Sequence, residues 1–368
     1  MNKTRRYDLD WLRTIGVLLV IPFHSLLIFN LHPWAIVYIK DKINVRLFNI
    51  VSTLIDRFHM PLLFVLAGMA VYYALQFRNP RQFLKERFSK LLVPAILGSV
   101  FLNPVMTYFH LLSQGHNLTF FEHLINFFSK NPDDFTGLNG AFTPAHLWFL
   151  IFLFAFSIVG LPIFIWFNQE SNRPLRTRLA KFFKRRLLLA LTVIPITIIS
   201  AIDILGDRNP LVYFLMFCIG YLLVTNDQYQ AALNRDWWFY SVISIILIVI
   251  WFHFPNRFEP WSLTWIGYAF FDKAIRFLPV LALIGIDNQY LNQNSRLLEY
   301  LSRASFPIYI IHMLINTIVG FVIVQLNLGV GAKFILIVTI TYLLCFLLYE
   351  IMRRFKLFRL VFAMKAIE

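Results

Sequence analysis

Residues 145–167 read AHLWFLIFLFAFSIVGLPIFIWF, twenty-three positions without a single Asp, Glu, Lys or Arg. Wound as a helix at 1.5 Å per residue, such a run covers the ~30 Å hydrocarbon core of a bilayer. The rest of the chain repeats the pattern. Apolar runs fall at about 11–31, 58–77, 91–111, 187–204, 211–225, 237–253, 263–285, 304–326 and 334–352. The expected fold class is therefore an all-α polytopic membrane protein with about ten transmembrane helices. Residues 47–57 are expected as a separate amphipathic piece leading into the second span. Composition excludes the soluble and disordered classes. The 368 residues are 59% hydrophobic and 14% charged, with 40 Phe, and the mean hydropathy is +0.66. An ordinary soluble domain is ~25% charged, and no single core of this size could bury so large an apolar excess.

The net charge of +15 does not mark a nucleic-acid partner, because the charges sit in short clusters between apolar runs. Lys and Arg in the N-terminal segment, residues 78–90, 168–186, 226–236, 286–303 and the tail number 23, against 7 in the alternate loops. Basic residues accumulate on the cytoplasmic side of a membrane, so both termini are expected there. The basic start is followed by no small-residue cleavage site, so the first run is expected as a retained span. No repeat or soluble appendage is evident, and residues 1–368 are expected as a single membrane domain. The two cysteines, Cys218 and Cys345, both lie in apolar runs; neither a disulfide framework nor a metal site is expected from them.

Ionisable groups inside a bilayer are costly unless paired or facing a wet cavity, so each is a functional candidate. Four basic residues, Arg13, Arg57, Lys273 and Arg276, and the histidines His24, His59, His146 and His312 fall within or at the rims of the runs. Arg13 and His24 are eleven positions apart, about three helical turns and about 16 Å, which sets them on one face of the first span. Pro22 is expected to distort the helix beside the histidine. A neutral imidazole suits proton removal from a hydroxyl near pH 7. On spacing alone, a histidine satisfied by a neighbouring helix and an arginine snorkelling to the headgroups fit equally well. Asp272 and Arg276 are four apart and are expected to pair. The histidines are scattered over separate spans without ligand spacing, so no metal is expected.

Four stretches, taken together, resemble the acyltransferase 3 family of bacterial membrane O-acyltransferases. They are Tyr7-Asp8-Leu9-Asp10-Trp11-Leu12-Arg13 followed after ten residues by His24, then Phe58-His59-Met60-Pro61 running on to Gly68, His146-Leu147-Trp148-Phe149-Leu150, and Phe306-Pro307-Ile308-Tyr309-Ile310-Ile311-His312. The family's cytoplasmic Arg-x-x-Arg motif is similar to Arg87-Phe88-Ser89-Lys90 here, where lysine keeps the charge but loses the bidentate fork. The layout is closest to members that modify glucans or other envelope polysaccharides.

The resemblance implies transfer of a short acyl group, acetyl or succinyl, from cytoplasmic acyl-CoA to a sugar hydroxyl of an extracytoplasmic glycan or lipid-linked carbohydrate. It implies a multi-pass protein of the bacterial inner membrane, with acyl-CoA as co-substrate and no permanently bound cofactor. His24 would be the general base and Arg13 would hold donor oxygens. Arg87 and Lys90 would attract the CoA phosphates. Arg57, His59, His146, Trp148, Tyr309 and His312 would line the acceptor's path. Two other classes compete: a proton-coupled or anion transporter using the buried His, Arg and Asp residues, and a non-catalytic scaffold.

Overall fold

The computed structural model describes residues 6–30, 37–132, 136–253, 262–362 and 364. Of the charges counted above, Lys3, Arg5, Arg257 and Lys365 lie outside the described residues. Among those described, every regular element is helical. The chain runs through α1 (Tyr7–Leu18), α2 (Val20–Leu27), α3 (Arg46–Leu75), α4 (Pro80–Arg87), a π-helical turn at Phe88–Leu92, α5 (Val93–Phe101), α6 (Asn103–Ser113) and α7 (Phe120–Ser129). A 3₁₀ turn at Ala145–Leu147 leads into α8 (Trp148–Asn168), α9 (Arg173–Phe183), α10 (Val193–Ser200), α11 (Pro210–Leu223) and α12 (Asp227–Trp251). Last come α13 (Leu263–Tyr290), α14 (Arg296–Ile323), α15 (Val330–Met352) and α16 (Lys356–Val361).

Among the described residues, seven segments are long and apolar enough to cross a membrane: Tyr7–Leu27, Arg46–Leu75, Pro80–Ser113, Ala145–Asn168, Asp227–Trp251, Arg296–Ile323 and Val330–Met352. This is the architecture of a polytopic membrane protein. Helices also stand at the other three expected positions, each with a physical reason for falling short of a full span. The apolar piece at Leu188–Ser200 is short, α11 has 14 residues, and the 28 residues of α13 include Asp272, Lys273, Arg276 and Asp287.

One local expectation is corrected, and two connecting stretches carry helices of their own. Residues 47–57 are not a separate piece but the first turns of the continuous 30-residue α3; they contain neither Pro nor Gly, and Pro61 is tolerated in the interior. The long loop after α6 contains α7, started by a capping box in which Thr119 Oγ1 accepts from the Glu122 amide and Glu122 accepts from the Thr119 amide. The basic 168–186 stretch contains the amphipathic α9, with Pro174 in its first turn.

The residues group into two compact units. The first comprises Met1–Arg13, Asp56–Leu84 and Ala155–Leu298. Within it, α3 and α11 approach so closely that a Cβ on Gly68 would overlap the Phe217 carbonyl, and one on Gly220 the Val65 carbonyl. Small residues at a helix crossing let backbones meet, the packing device favoured where lipid removes the hydrophobic incentive to associate.

The second unit comprises Thr14–Ile55, Lys85–Phe154 and Glu299–Glu368. Proline positions shape it. Pro22 has no N–H to give the Leu18 carbonyl, and the first span breaks into α1 and α2 at Leu19. Pro94 has no N–H for the Lys90 carbonyl, and there the backbone shifts to a π turn closed by Val93 N–H to Phe88 O. A buried ion pair, Lys333 Nζ to Asp41 Oδ2 at 2.8 Å, ties the segment after α2 to α15.

Candidate functional site

α14 is the most buried of the seven spans, with 72% of its apolar window inside the protein against 22% for α15. It carries Tyr309, His312 and Asn316 on the second unit's interior. His312 lies completely buried and Asn316 nearly so. Facing them across the packing is α2, where His24 is half-buried and Ser25 fully buried. The Asn316 amide donates to Ser25 Oγ at 2.7 Å, and Ser25 Oγ donates to the Ile21 carbonyl at 2.8 Å. The His24 and His312 ring centroids are 5.4 Å apart. A polar seam thus runs between two otherwise apolar helices.

His146 completes the seam. It sits in the 3₁₀ turn whose first residue, Ala145, has φ +46°. A non-glycine residue in that region carries roughly 1–3 kcal/mol of strain and persists only where its surroundings hold it. Thr143 Oγ1 accepts from the Ala145 amide at 2.9 Å, and the Thr143 carbonyl accepts from Asn103 Nδ2 at 2.7 Å. α14 clamps the turn from the other side: Tyr309 Oη donates to the His146 carbonyl at 2.5 Å, and His146 Nε2 donates to the Ile310 carbonyl at 3.0 Å. The His146 ring lies 4.9 Å from that of His312, nearly edge-on at 77°.

These contacts assign tautomers. A carbonyl only accepts, so His312 Nδ1, at 2.6 Å from the Tyr309 carbonyl, carries its proton and Nε2 bears the lone pair. By the same reasoning His146 Nε2 carries the proton and Nδ1 bears the lone pair. Both lone pairs, His312 Nε2 and His146 Nδ1, are buried without a partner among the described residues. A small cavity of about 10 Å³, room for one water, is lined by His24, Tyr38, Asn316 and Thr317 with apolar neighbours, and His24 is the imidazole that reaches it. None of the residues that line it carries a formal charge. The arrangement offers hydrogen-bond acceptors to a ligand that brings hydroxyl donors. Among the described residues no three His, Cys, Asp or Glu are grouped to hold a metal ion.

Of the sequence-derived site residues, the structure brings together His24, His146, Tyr309 and His312. Trp148 follows directly in α8 and stacks edge-on against Phe152 at 5.0 Å. Arg87 closes α4, and Lys90 lies on the π turn after it, paired with Glu86 at 2.5 Å. The motif Arg87-x-x-Lys90 therefore straddles the start of the π turn in the third span.

The first unit holds the remainder. Arg13 is paired with Asp10 at 3.0 Å and stays half-exposed, and His59 is buried in α3. Arg57 belongs to an ion cluster. Asp272 receives Arg57 at 2.6 Å, Lys273 at 2.8 Å and Arg276 at 3.2 Å, the last as its i,i+4 spacing leads one to expect. Arg276 also reaches Asp207 at 3.2 Å, and the Arg57 guanidinium lies 4.4 Å over the Trp251 ring. Sequence reading missed Asn316, Ser25 and the Ala145 turn, and it missed the role of Arg6, which forks onto the buried Asp8 and also donates to Gln230 and Asn288. The i,i+4 spacing of His312 and Asn316 was a signal that could have found the seam.

The acyltransferase domain family matches residues 6–350. The chain is 30% identical over 173 residues to proteins named "Glucans biosynthesis protein C" from Salmonella paratyphi B, Salmonella heidelberg and Salmonella dublin. That match takes in 46% of this chain and 42% of each relative, so less than half of those proteins' length is spanned. No solved structure matches the chain. With nearly its whole length matched, the chain belongs to the acyltransferase 3 family.

Proposed function

We propose that the protein is a membrane O-acyltransferase that moves a short acyl group, acetyl or succinyl, from acyl-CoA to a sugar hydroxyl of an envelope glycan or lipid-linked carbohydrate. The observation that carries this reading is the placement of His24, a half-buried imidazole at an uncharged cavity beside two other imidazoles locked as acceptors. Family membership supports the reaction class, and the relatives' name supports a glucan-type acceptor.

In this mechanism the acceptor oxygen attacks the thioester carbonyl while its proton passes to His24. Collapse of the tetrahedral intermediate breaks the carbon–sulfur bond. The leaving thiolate takes the proton back from the imidazolium, giving the sugar ester, CoA thiol and neutral His24. Arg87 and Lys90 attract the CoA phosphates, and Arg13 holds donor oxygens. The excess of basic residues in alternate loops supports an inner-membrane protein with both termini in the cytoplasm, so that donor and acceptor arrive from opposite sides.

The test follows free CoA thiol from protein in lipid, given acetyl-CoA or succinyl-CoA and a crude envelope glycan fraction. Thiol release that needs the glycan is expected, falling ~10²–10⁴-fold in His24→Ala. Glycan-independent solute flux without CoA would favour a transporter. Full activity in His24→Ala, or no CoA binding by folded wild type, would overturn the proposal.

A further inference from the structure

Resting on the reading of His24 as the base, we propose that His312 is its positioning residue: the lone pair on His312 Nε2 accepts the N–H that His24 presents when it becomes an imidazolium. Three observations lead there. First, His312 can only accept, because its Nδ1 proton is committed to the Tyr309 carbonyl at 2.6 Å. Second, that lone pair is fully buried and has no partner among the described residues. Leaving a buried acceptor unmade is costly, which makes sense if a partner arrives during turnover. Third, the His24 and His312 centroids are 5.4 Å apart with planes tilted by 34°. Two imidazoles joined by an in-plane N–H···N bond of ordinary length have centroids about 5.3 Å apart, so only rotation of the rings is needed.

The environment suits a neutral acceptor. Among the described residues, His24 meets His312 from α14 and shares the cavity with Tyr38, Asn316 and Thr317, and no residue lining that cavity carries a formal charge. A carboxylate in the place of His312 would need a counter-ion in this dry seam. An imidazole fixed as an acceptor orients the base without one. His146, edge-on at 4.9 Å, holds His312 from its other side. No bond to carbon is made or broken on His312. The proton taken from the acceptor hydroxyl stays on His24 until the thiolate reclaims it, and His312 only receives the hydrogen bond.

The experiment measures CoA release against pH in lipid for wild type, His312→Phe and His312→Gln, with acyl-CoA binding and thermal midpoint as controls of folding. Phenylalanine keeps the ring and removes both nitrogens; glutamine restores an acceptor at similar reach. A hydrogen bond to a charged donor is worth a drop in kcat of about tenfold to a hundredfold. His312→Phe should show that drop with KM for acyl-CoA within about twofold. Its acid limb should move to lower pH, because the imidazolium loses its acceptor, and glutamine should recover most of the rate. If the phenylalanine variant does not fold, His312→Asn takes its place, since its amide is too short to reach His24. Equal rates for Gln and Phe (or Asn), or a drop without movement of the acid limb, would overturn the assignment and leave His312 a packing residue. In either of those outcomes wild type would still depend on His24, so the proposed function would stand. Full activity in His24→Ala would instead remove the function itself.

Discussion

The Tyr342 hydroxyl donates to the Leu18 carbonyl at 2.9 Å, the carbonyl that Pro22, having no N–H, leaves without its helical donor. The break between α1 and α2 is thus held by a side chain from α15, six residues before His24. A backbone carbonyl freed in an apolar setting needs such a partner. The break is a built feature of the span that carries the candidate base.

Removing the Tyr342 hydroxyl therefore has a defined effect. Tyr342→Phe should lower stability by about 1 kcal/mol, seen as a lower thermal midpoint in detergent. It should also lower CoA release modestly through loosened placement of His24, leaving acyl-CoA binding intact. Pro22→Ala, which restores the helical donor, should make the phenylalanine substitution silent. If Tyr342→Phe is equally costly in both backgrounds, the hydroxyl does not serve the proline break.

The ion cluster of the first unit gives a larger effect. Three cations, Arg57, Lys273 and Arg276, converge on the buried Asp272, while Arg276's other partners, Asp56 at 3.9 Å and Asp207 at 3.2 Å, are 31% and 77% exposed. Asp272→Asn leaves the three cations without their central counter-charge. Breaking a buried pair by removing one partner costs roughly 3–5 kcal/mol, enough to make the protein aggregate at or near its growth temperature. Removing one cation as well, with Arg57→Met, should recover part of the thermal midpoint. Additive losses in the double variant would show that Arg57 and Asp272 are not coupled.

How far the sequence carried follows from the kind of signal each feature sends. Long uncharged runs such as 145–167 announce themselves by length, and Asp272–Arg276 by i,i+4 spacing. α7 was legible in principle from the capping pattern Thr119-x-x-Glu122. The convergence of Arg57 on Asp272 joins positions 215 apart, and Asn316 reaches Ser25 across 291. No local pattern encodes such contacts. The positive φ of Ala145 was equally hidden, since alanine gives no warning of a left-handed backbone. Their place within or at the rims of apolar runs marked His146 and His312 as candidates, yet their fixed tautomers emerge only when the carbonyls of Tyr309 and Ile310 are in place.

α7 is also where pH should act. His123 is fully buried beneath it, with Nε2 donating to the Pro104 carbonyl at 2.9 Å and Thr107 Oγ1 at 3.0 Å. Burial lowers its pKa below the usual histidine value of 6.5, outweighing the Pro104 hydrogen bond that works the other way. A group that is more acidic folded than unfolded contributes its full stability above the unfolded pKa, and that stability is lost as pH falls below it. Amide exchange in α7, corrected for the intrinsic rate, should therefore quicken as pH drops from about 7 to about 5, the interval around the reference histidine pKa. Glu122 behaves as a second, separate step. The Thr119 backbone and hydroxyl hydrogen bonds hold its pKa below the usual carboxylate range, so the capping box opens only in stronger acid. His123→Gln should flatten the first step and leave the second; if the first step persists in that variant, another group opens the helix.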